Sequence, residues 1–212
     1  MIVESFPVGA LQCNATILGD EASGEAIVID GGDGVSEVLT RLTRHGLRAR
    51  YLIHTHAHFD HIADLGTLRD RTNAAALLHP ADLPIYAAQP ALVRAFGLSM
   101  KPPVKLDADL LDGDCVRAGD ISVDVLHTPG HTPGSLCFAL RFGNESVIFS
   151  GDTLFAGSIG RWDLGGTSME DIVASIERKL LPFDDATRVV PGHGASTSIG
   201  RERRENPYLT LV

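Results

Sequence analysis

The sequence predicts a mixed α/β fold in which helices pack outside two sheets. Three observations predict it. Short apolar runs at strand spacing recur in both halves of the chain. Segments with helical spacing follow them in each half, so each sheet has helices with which to cover a face. The 212 residues are 44% hydrophobic and 21% charged, enough to bury a sizeable core in an ordinary globular protein. One domain spanning 1–212 is expected.

In chain order, residues 1–8, 11–18 and 26–29 read as strands, punctuated by Gly19-Asp20 and Gly24. A sharp loop follows at 30–34. Residues 35–45 carry apolar side chains at 35, 38, 39 and 42, a helical spacing, and Gly46 stands where a helix stops. Residues 51–53 form a short strand that runs into a histidine-rich loop. A helix is expected at 62–70, a strand at 75–78, and one or two helices broken at Pro90 within 80–96. That last segment reads as a lid or as a dimer contact. Lys101-Pro102-Pro103 is a stiff connector.

Residues 121–126, 136–142 and 146–149 then read as strands. Ser168 caps an amphipathic helix over 168–180, with apolar residues at 169, 172, 173, 176 and 180. A strand at 187–190 and a closing helix at 197–206 complete the chain.

Net charge is −9, which argues against a nucleic-acid partner. No apolar stretch approaches the ~20 residues that span a bilayer, so no membrane association is expected. Cys13, Cys115 and Cys137 form no CxxC pair and are odd in number. They are expected to be small buried hydrophobes in a reducing cytoplasm. The N-terminus lacks the basic segment and apolar run of a signal peptide.

The chemistry concentrates in His56-Ala57-His58-Phe59-Asp60-His61. In an extended chain, residues two apart point the same way, so His56, His58 and Asp60 converge. His61 joins as the chain turns into a helix. Imidazole and carboxylate are the usual ligands of zinc and similar ions. Random placement of this composition yields about one such motif in a thousand chains. Four donors in six residues cannot encircle an ion tidily, so further ligands are expected at other strand ends. His131 in Pro129-Gly130-His131, Asp152 in Gly151-Asp152-Thr153 and His193 in Pro191-Gly192-His193-Gly194 each follow an apolar strand in a glycine-containing turn.

Together these motifs resemble the metallo-β-lactamase superfamily over nearly the whole chain. The resemblance implies a four-layer αβ/βα sandwich with two metal ions between the sheets. It gives His56, His58 and His131 to one ion and Asp60, His61 and His193 to the other, with Asp152 bridging. Zinc is the expected metal, with iron and manganese as alternatives. Within the superfamily, Gly151-Asp152-Thr153-Leu154-Phe155 and the ending Pro191-Gly192-His193-Gly194 resemble glyoxalase II, a hydroxyacylglutathione hydrolase. That implies hydrolysis of a small-molecule thioester, such as S-D-lactoylglutathione, by a metal-bridging hydroxide that Asp60 helps to orient. The 19 residues after His193 resemble the short stand-alone forms, which lack a C-terminal helical domain.

Nine residues after Asp152 the glyoxalase II pattern has a Lys, then two residues on a Tyr, both contacting glutathione. This chain has Arg161 and Asp163. Arg161 and its neighbour Trp162 are the expected substrate-binding residues, and Arg161-x-Asp163 also resembles an iron-dependent persulfide dioxygenase branch. A lactonase or esterase is a further alternative on the same scaffold. His54, His79 and His127 are expected to be structural, as the resemblance also implies for Asp30 and Asp33.

Overall fold

The computed structural model describes residues 1–95, 97, 100–143, 145–163 and 166–209. They form two compact units, Met1–Leu110 with Arg117–Ile121, and Leu111–Val116 with Ser122–Val212.

The first unit is built on a six-stranded sheet in simple sequence order. Its strands are β1 (Ile2–Val8), β2 (Cys13–Asp20), β3 (Glu25–Ile29), β4 (Arg48–Ile53), β5 (Ala75–Leu78) and β6 (Ala108–Asp109). β1, β2 and β3 are antiparallel, whereas β3 through β6 run parallel. The three parallel pairs need crossovers, and each crossover contains helix. α1 (Val35–Arg44) connects β3 to β4 and buries Val38 and Leu42, two of its predicted apolar positions. α2 (Phe59–Ile62) and α3 (Leu65–Thr72) connect β4 to β5. The core gathers Ile17, Val28, Leu52, Leu65, Leu68 and Tyr86.

Two expectations are corrected here. The helix expected at 62–70 begins three residues earlier and is split, so Phe59 and Asp60 are already helical. His58 is the extended residue before it, with φ −73° and ψ 150°. Second, Pro90 does not break its segment. A 3₁₀ turn, Pro80–Asp82, leads into one helix, α4 (Leu83–Ala95), with Pro90 inside. His79 caps the turn through Nδ1, which accepts the Ala81 N–H at 3.2 Å, and Pro80 occupies the first position, where no N–H is needed. Tyr86, Gln89 and Val93 are buried along α4, and that packing outweighs the hydrogen bond Pro90 cannot donate. Phe96, the last residue of the predicted segment, lies outside the described residues.

In the second unit the sheet contains β7 (Cys115–Ala118), β8 (Ile121–His127), β9 (Leu136–Phe142) and β10 (Glu145–Gly151). A small hairpin follows, β11 (Leu154–Phe155) and β12 (Ser158–Ile159), and then β13 (Arg188–Pro191) and β14 (Thr197–Ser198). The sheet order is β14-β13-β10-β9-β8-β7. β10 and β13 are parallel, joined through α5 (Met169–Ser175) and a π-helical turn, Ile176–Leu180. Ser168 caps α5 as expected. Its hydroxyl receives the Asp171 N–H, and the Asp171 carboxylate receives the Ser168 N–H, a complete capping box. The predicted closing helix is shorter than expected, because Thr197 and Ser198 pair with β13 before α6 (Ile199–Glu205) begins.

All three cysteines are free; Cys13 and Cys137 are buried, but Cys115 is exposed, so the expectation of three buried thiols is corrected. Cys115 alternates outward on β7, and Ser122 Oγ lies 2.9 Å from its sulfur. Among the described residues, no helix is long and apolar enough to cross a membrane. The mixed α/β class is as expected, with a six-stranded sheet and helices in each unit.

Candidate metal centre

In the first unit, β3 and β4 end side by side and supply the frame. Asp30, just past β3, adopts φ +52°, a conformation in which Asp is one of the few tolerated side chains. It is 1% exposed. Its Oδ1 accepts the Thr55 N–H at 2.8 Å and its Oδ2 the Thr55 hydroxyl at 2.7 Å. His61 Nδ1 lies 3.0 Å from Oδ2. Asp82, fully buried on the 3₁₀ turn, accepts the Ala57 N–H at 3.0 Å. One carboxylate therefore holds the backbone before His56, and another holds the backbone between His56 and His58.

These bonds also set which ring nitrogen carries the proton. Thr55 Oγ donates to Asp30, so its lone pair receives His56 Nδ1–H at 3.1 Å. His61 Nδ1–H points at Asp30. In both rings Nε2 is left as the lone-pair atom, the tautomer a metal ligand requires. The rings are close: His56 and His58 centroids are 4.7 Å apart, and His56 and His61 4.0 Å. Asp60 joins this group, with Oδ2 3.6 Å from His61 Nε2. Burial alone would lower the His61 imidazole. The Asp30 carboxylate, 3.0 Å from Nδ1, works against burial, and His61 is held above its ordinary value. Burial pulls His54 down to about 4, more than Asp30 raises it, which keeps that ring neutral. Burial pushes the Cys13 thiol up to about 11, so it stays protonated.

In the second unit, the three predicted residues follow β8, β10 and β13. β10 and β13 run parallel with Gly151 opposite Pro191, so the turns that follow them start together. Gly192 N–H donates to Gly151 O at 2.7 Å. Asp152 and His193 are thereby neighbours. Asp152 Oδ2 lies 3.6 Å from His131 Nε2 and Asp152 Oδ1 lies 3.9 Å from His193 Nε2. These distances are long for hydrogen bonds. They suit two ligands of one ion, since tetrahedral donors ~2.0–2.2 Å from a metal stand ~3.4 Å apart. His131 Nδ1 donates to the Arg161 carbonyl at 2.8 Å, which again leaves Nε2 free of its proton.

Two glycines permit this packing. Gly130 has φ +148°, and a Cβ there would stand 2.3 Å from the Ile172 backbone. A Cβ on Gly160 would stand 1.7 Å from the Asp152 carbonyl oxygen. Thr153 and Thr128 pair their hydroxyls at 3.2 Å beneath the turn.

The predicted residues thus fall into two groups, each assembled within its unit: His56, His58, Asp60 and His61, and His131, Asp152 and His193. The donor set is imidazole nitrogen and carboxylate oxygen, and three of the imidazoles are held with Nε2 presented. That chemistry fits zinc, iron or manganese. Arg161 and Trp162 are placed beside His131 by the Arg161 carbonyl. The Arg161 side chain turns outward into a two-pronged ion pair with Asp163, at 2.9 and 3.0 Å. Trp162 is half-buried against Tyr208, with ring centroids 6.1 Å apart. His79 and His127 have the structural roles expected; His127 Nε2 donates to the Pro133 carbonyl. Asp82 was not foreseen. It lies 22 residues beyond Asp60 with no motif around it, and its only sequence signal is an acidic residue after His79-Pro80 at the end of an apolar strand.

The pattern of the metallo-beta-lactamase superfamily matches residues 8–193. An uncharacterized protein of Mycobacterium tuberculosis is 40% identical over 222 residues, covering 99% of this chain and 98% of that protein. The hydroxyacylglutathione hydrolase GloC of Haemophilus influenzae is 32% identical, covering 99% of this chain and 98% of its own. Among solved structures, BLEG-1 B3 metallo-beta-lactamase superposes with a TM-score of 0.88 at 36% identity, covering 99% of this chain and 100% of that one. TTHA1623 in a di-iron-bound form gives 0.83 at 38%, covering 96% and 98%. ETHE1 from Myxococcus xanthus gives 0.79 at 29%, covering 98% and 84%. The match spans both groups of candidate ligand residues, and the chain belongs to the metallo-β-lactamase superfamily.

Proposed function

We propose that the protein is a two-metal thioesterase of the glyoxalase II type. The observation that carries this reading is the Asp152 carboxylate, with one oxygen facing His131 and the other facing His193. A carboxylate flanked in that way is built to serve two ions. On the family resemblance, His56, His58 and His131 would hold one ion, Asp60, His61 and His193 the other, and Asp152 would serve both. When bound, two such ions supply a water acidified to near neutral pH and a Lewis acid for the substrate carbonyl.

The chain's own residues do the rest. Asp30 fixes the His61 tautomer and the Thr55–His56 link, and Asp82 holds the backbone between His56 and His58. Asp60, on α2 beside His61, orients the attacking water and accepts its hydrogen bond. Arg161 and Trp162 form the substrate-binding loop. Asp163 already occupies two donors of the Arg161 guanidinium, so the remaining donors meet a carbonyl more readily than a free carboxylate. A relative of 32% identity that bears the name hydroxyacylglutathione hydrolase supports this reading.

A second reading is an iron-dependent persulfide dioxygenase. The Arg161-x-Asp163 pair favours it, as does the likeness to ETHE1. Zinc is the proposed metal for the thioesterase. The two readings part on S-D-lactoylglutathione. The wild type is expected to hydrolyse it, and Asp152→Ala to lose at least a hundredfold in kcat/KM. No hydrolysis above background, with oxygen consumption on glutathione persulfide by a one-iron protein, would overturn the thioesterase.

A further inference from the structure

Glu202 is a fully buried carboxylate that the chemistry above does not use. All its hydrogen-bond partners among the described residues are neutral. Oε1 accepts the Thr197 hydroxyl at 2.5 Å. Oε2 accepts the Gly157 N–H at 2.8 Å and the Asn206 amide at 2.8 Å. Asn206, also fully buried, reaches on to the Ser158 carbonyl at 3.0 Å. Burying a carboxyl group is costly unless its hydrogen bonds are made, and here each bond ties down a separate segment. The three hydrogen bonds of Glu202 reach the β11–β12 hairpin, the start of β14 and the end of α6.

Two of these partners, Gly157 and Thr197, lie in segments next to proposed ligands. Gly157 lies in the turn of the β11–β12 hairpin and Ser158 opens β12, and the hairpin begins two residues after Asp152. Its exit is Gly160, packed on the Asp152 carbonyl, and then Arg161, whose carbonyl accepts from His131 Nδ1. Thr197 opens β14, paired with β13, and His193 lies in the turn between them. One carboxylate therefore fixes the hairpin that supports Asp152 and His131 against the strand pair that carries His193.

We infer that Glu202, with Asn206, is a positioning residue for the metal ligands Asp152, His131 and His193. This rests on the two-metal reading. Removing such outer partners ordinarily costs about 10–100-fold in metal affinity.

The test measures zinc release from the reconstituted holoprotein into a chromogenic chelator at neutral pH, well below unfolding, with circular dichroism confirming the fold. Glu202→Ala is expected to release zinc about 10–100-fold faster than wild type. Glu202→Gln is expected to stay within about threefold, because its amide oxygen still accepts from Gly157 and Asn206 and its NH₂ can donate to the Thr197 hydroxyl. Asn206→Ala keeps the carboxylate but loses the Ser158 link, and is expected to fall between them. Wild-type release rates in both alanine variants would overturn the inference, even if both melt earlier, because Glu202 would then serve stability alone. If Glu202→Ala fails to fold, Asn206→Ala decides by the same criterion. A wild type that retains no zinc would instead remove the two-metal reading, and that result is visible before any variant is made.

Discussion

At the scale of single residues, the site is a set of imidazoles whose protons are directed by their neighbours. Thr55, Asp30 and the Arg161 carbonyl each take an Nδ1–H, and each thereby leaves an Nε2 lone pair for an ion. The candidate ligands stood out in the sequence, because histidines and aspartates clustered at strand ends are rare. Their supports stood out only in part. Asp30 was marked as structural through a family resemblance, but Asp82 and Glu202 carry no local pattern. Each acts on a backbone amide brought near by the fold, a relation that sequence spacing does not record. Asp82→Ala would orphan the buried Ala57 N–H at a cost of about 1–3 kcal/mol. Urea unfolding should show that loss, and chelator competition should show metal affinity lowered about 10–100-fold. Unchanged affinity would mean that His56 and His58 hold their places without it.

Among the elements, type was easier to read than extent. The strands expected at 26–29, 75–78 and 136–142 appear within a residue or two. The two-residue strands β6, β11, β12 and β14 were missed, since two residues carry no periodicity. Pro90 was read as a break, yet α4 runs through it because burial of Tyr86, Gln89 and Val93 outweighs a lost hydrogen bond. The α3–β5 connection offers a test of pH. Asp107 binds the Arg69 guanidinium at 2.6 and 2.9 Å and accepts the Ala76 N–H at 2.9 Å. The Arg69 hydrogen bonds, then the Ala76 amide, hold its carboxyl below its ordinary value. A depressed carboxyl stabilises the fold above its unfolded value, near 3.9, and that gain fades as pH falls through the lower folded value. Asp107→Asn should therefore cost up to about 1 kcal/mol at pH 7, the range of partly exposed ion pairs. The difference should shrink below pH 4 in urea unfolding. An equal deficit at pH 7 and pH 3 would contradict the ionic origin.

For the molecule as a whole, the class was readable from alternation of strands and helices in both halves, and each unit has its own six-stranded sheet. The sheet orders were not readable, because pairing depends on contacts far apart in sequence. The family was readable from motifs that span the chain, and the match over residues 8–193 bears it out. The proposed substrate is written less plainly, since that reading turns on one loop, where Arg161 and Asp163 engage each other. The central claim is that seven side chains hold two ions through a shared Asp152. Its most direct test is metal counting by inductively coupled plasma mass spectrometry on protein reconstituted with zinc and desalted. The wild type should retain close to two equivalents, and Asp152→Ala no more than one while still folded by circular dichroism. One equivalent or none in the wild type, or two retained by the folded Asp152→Ala variant, would contradict it.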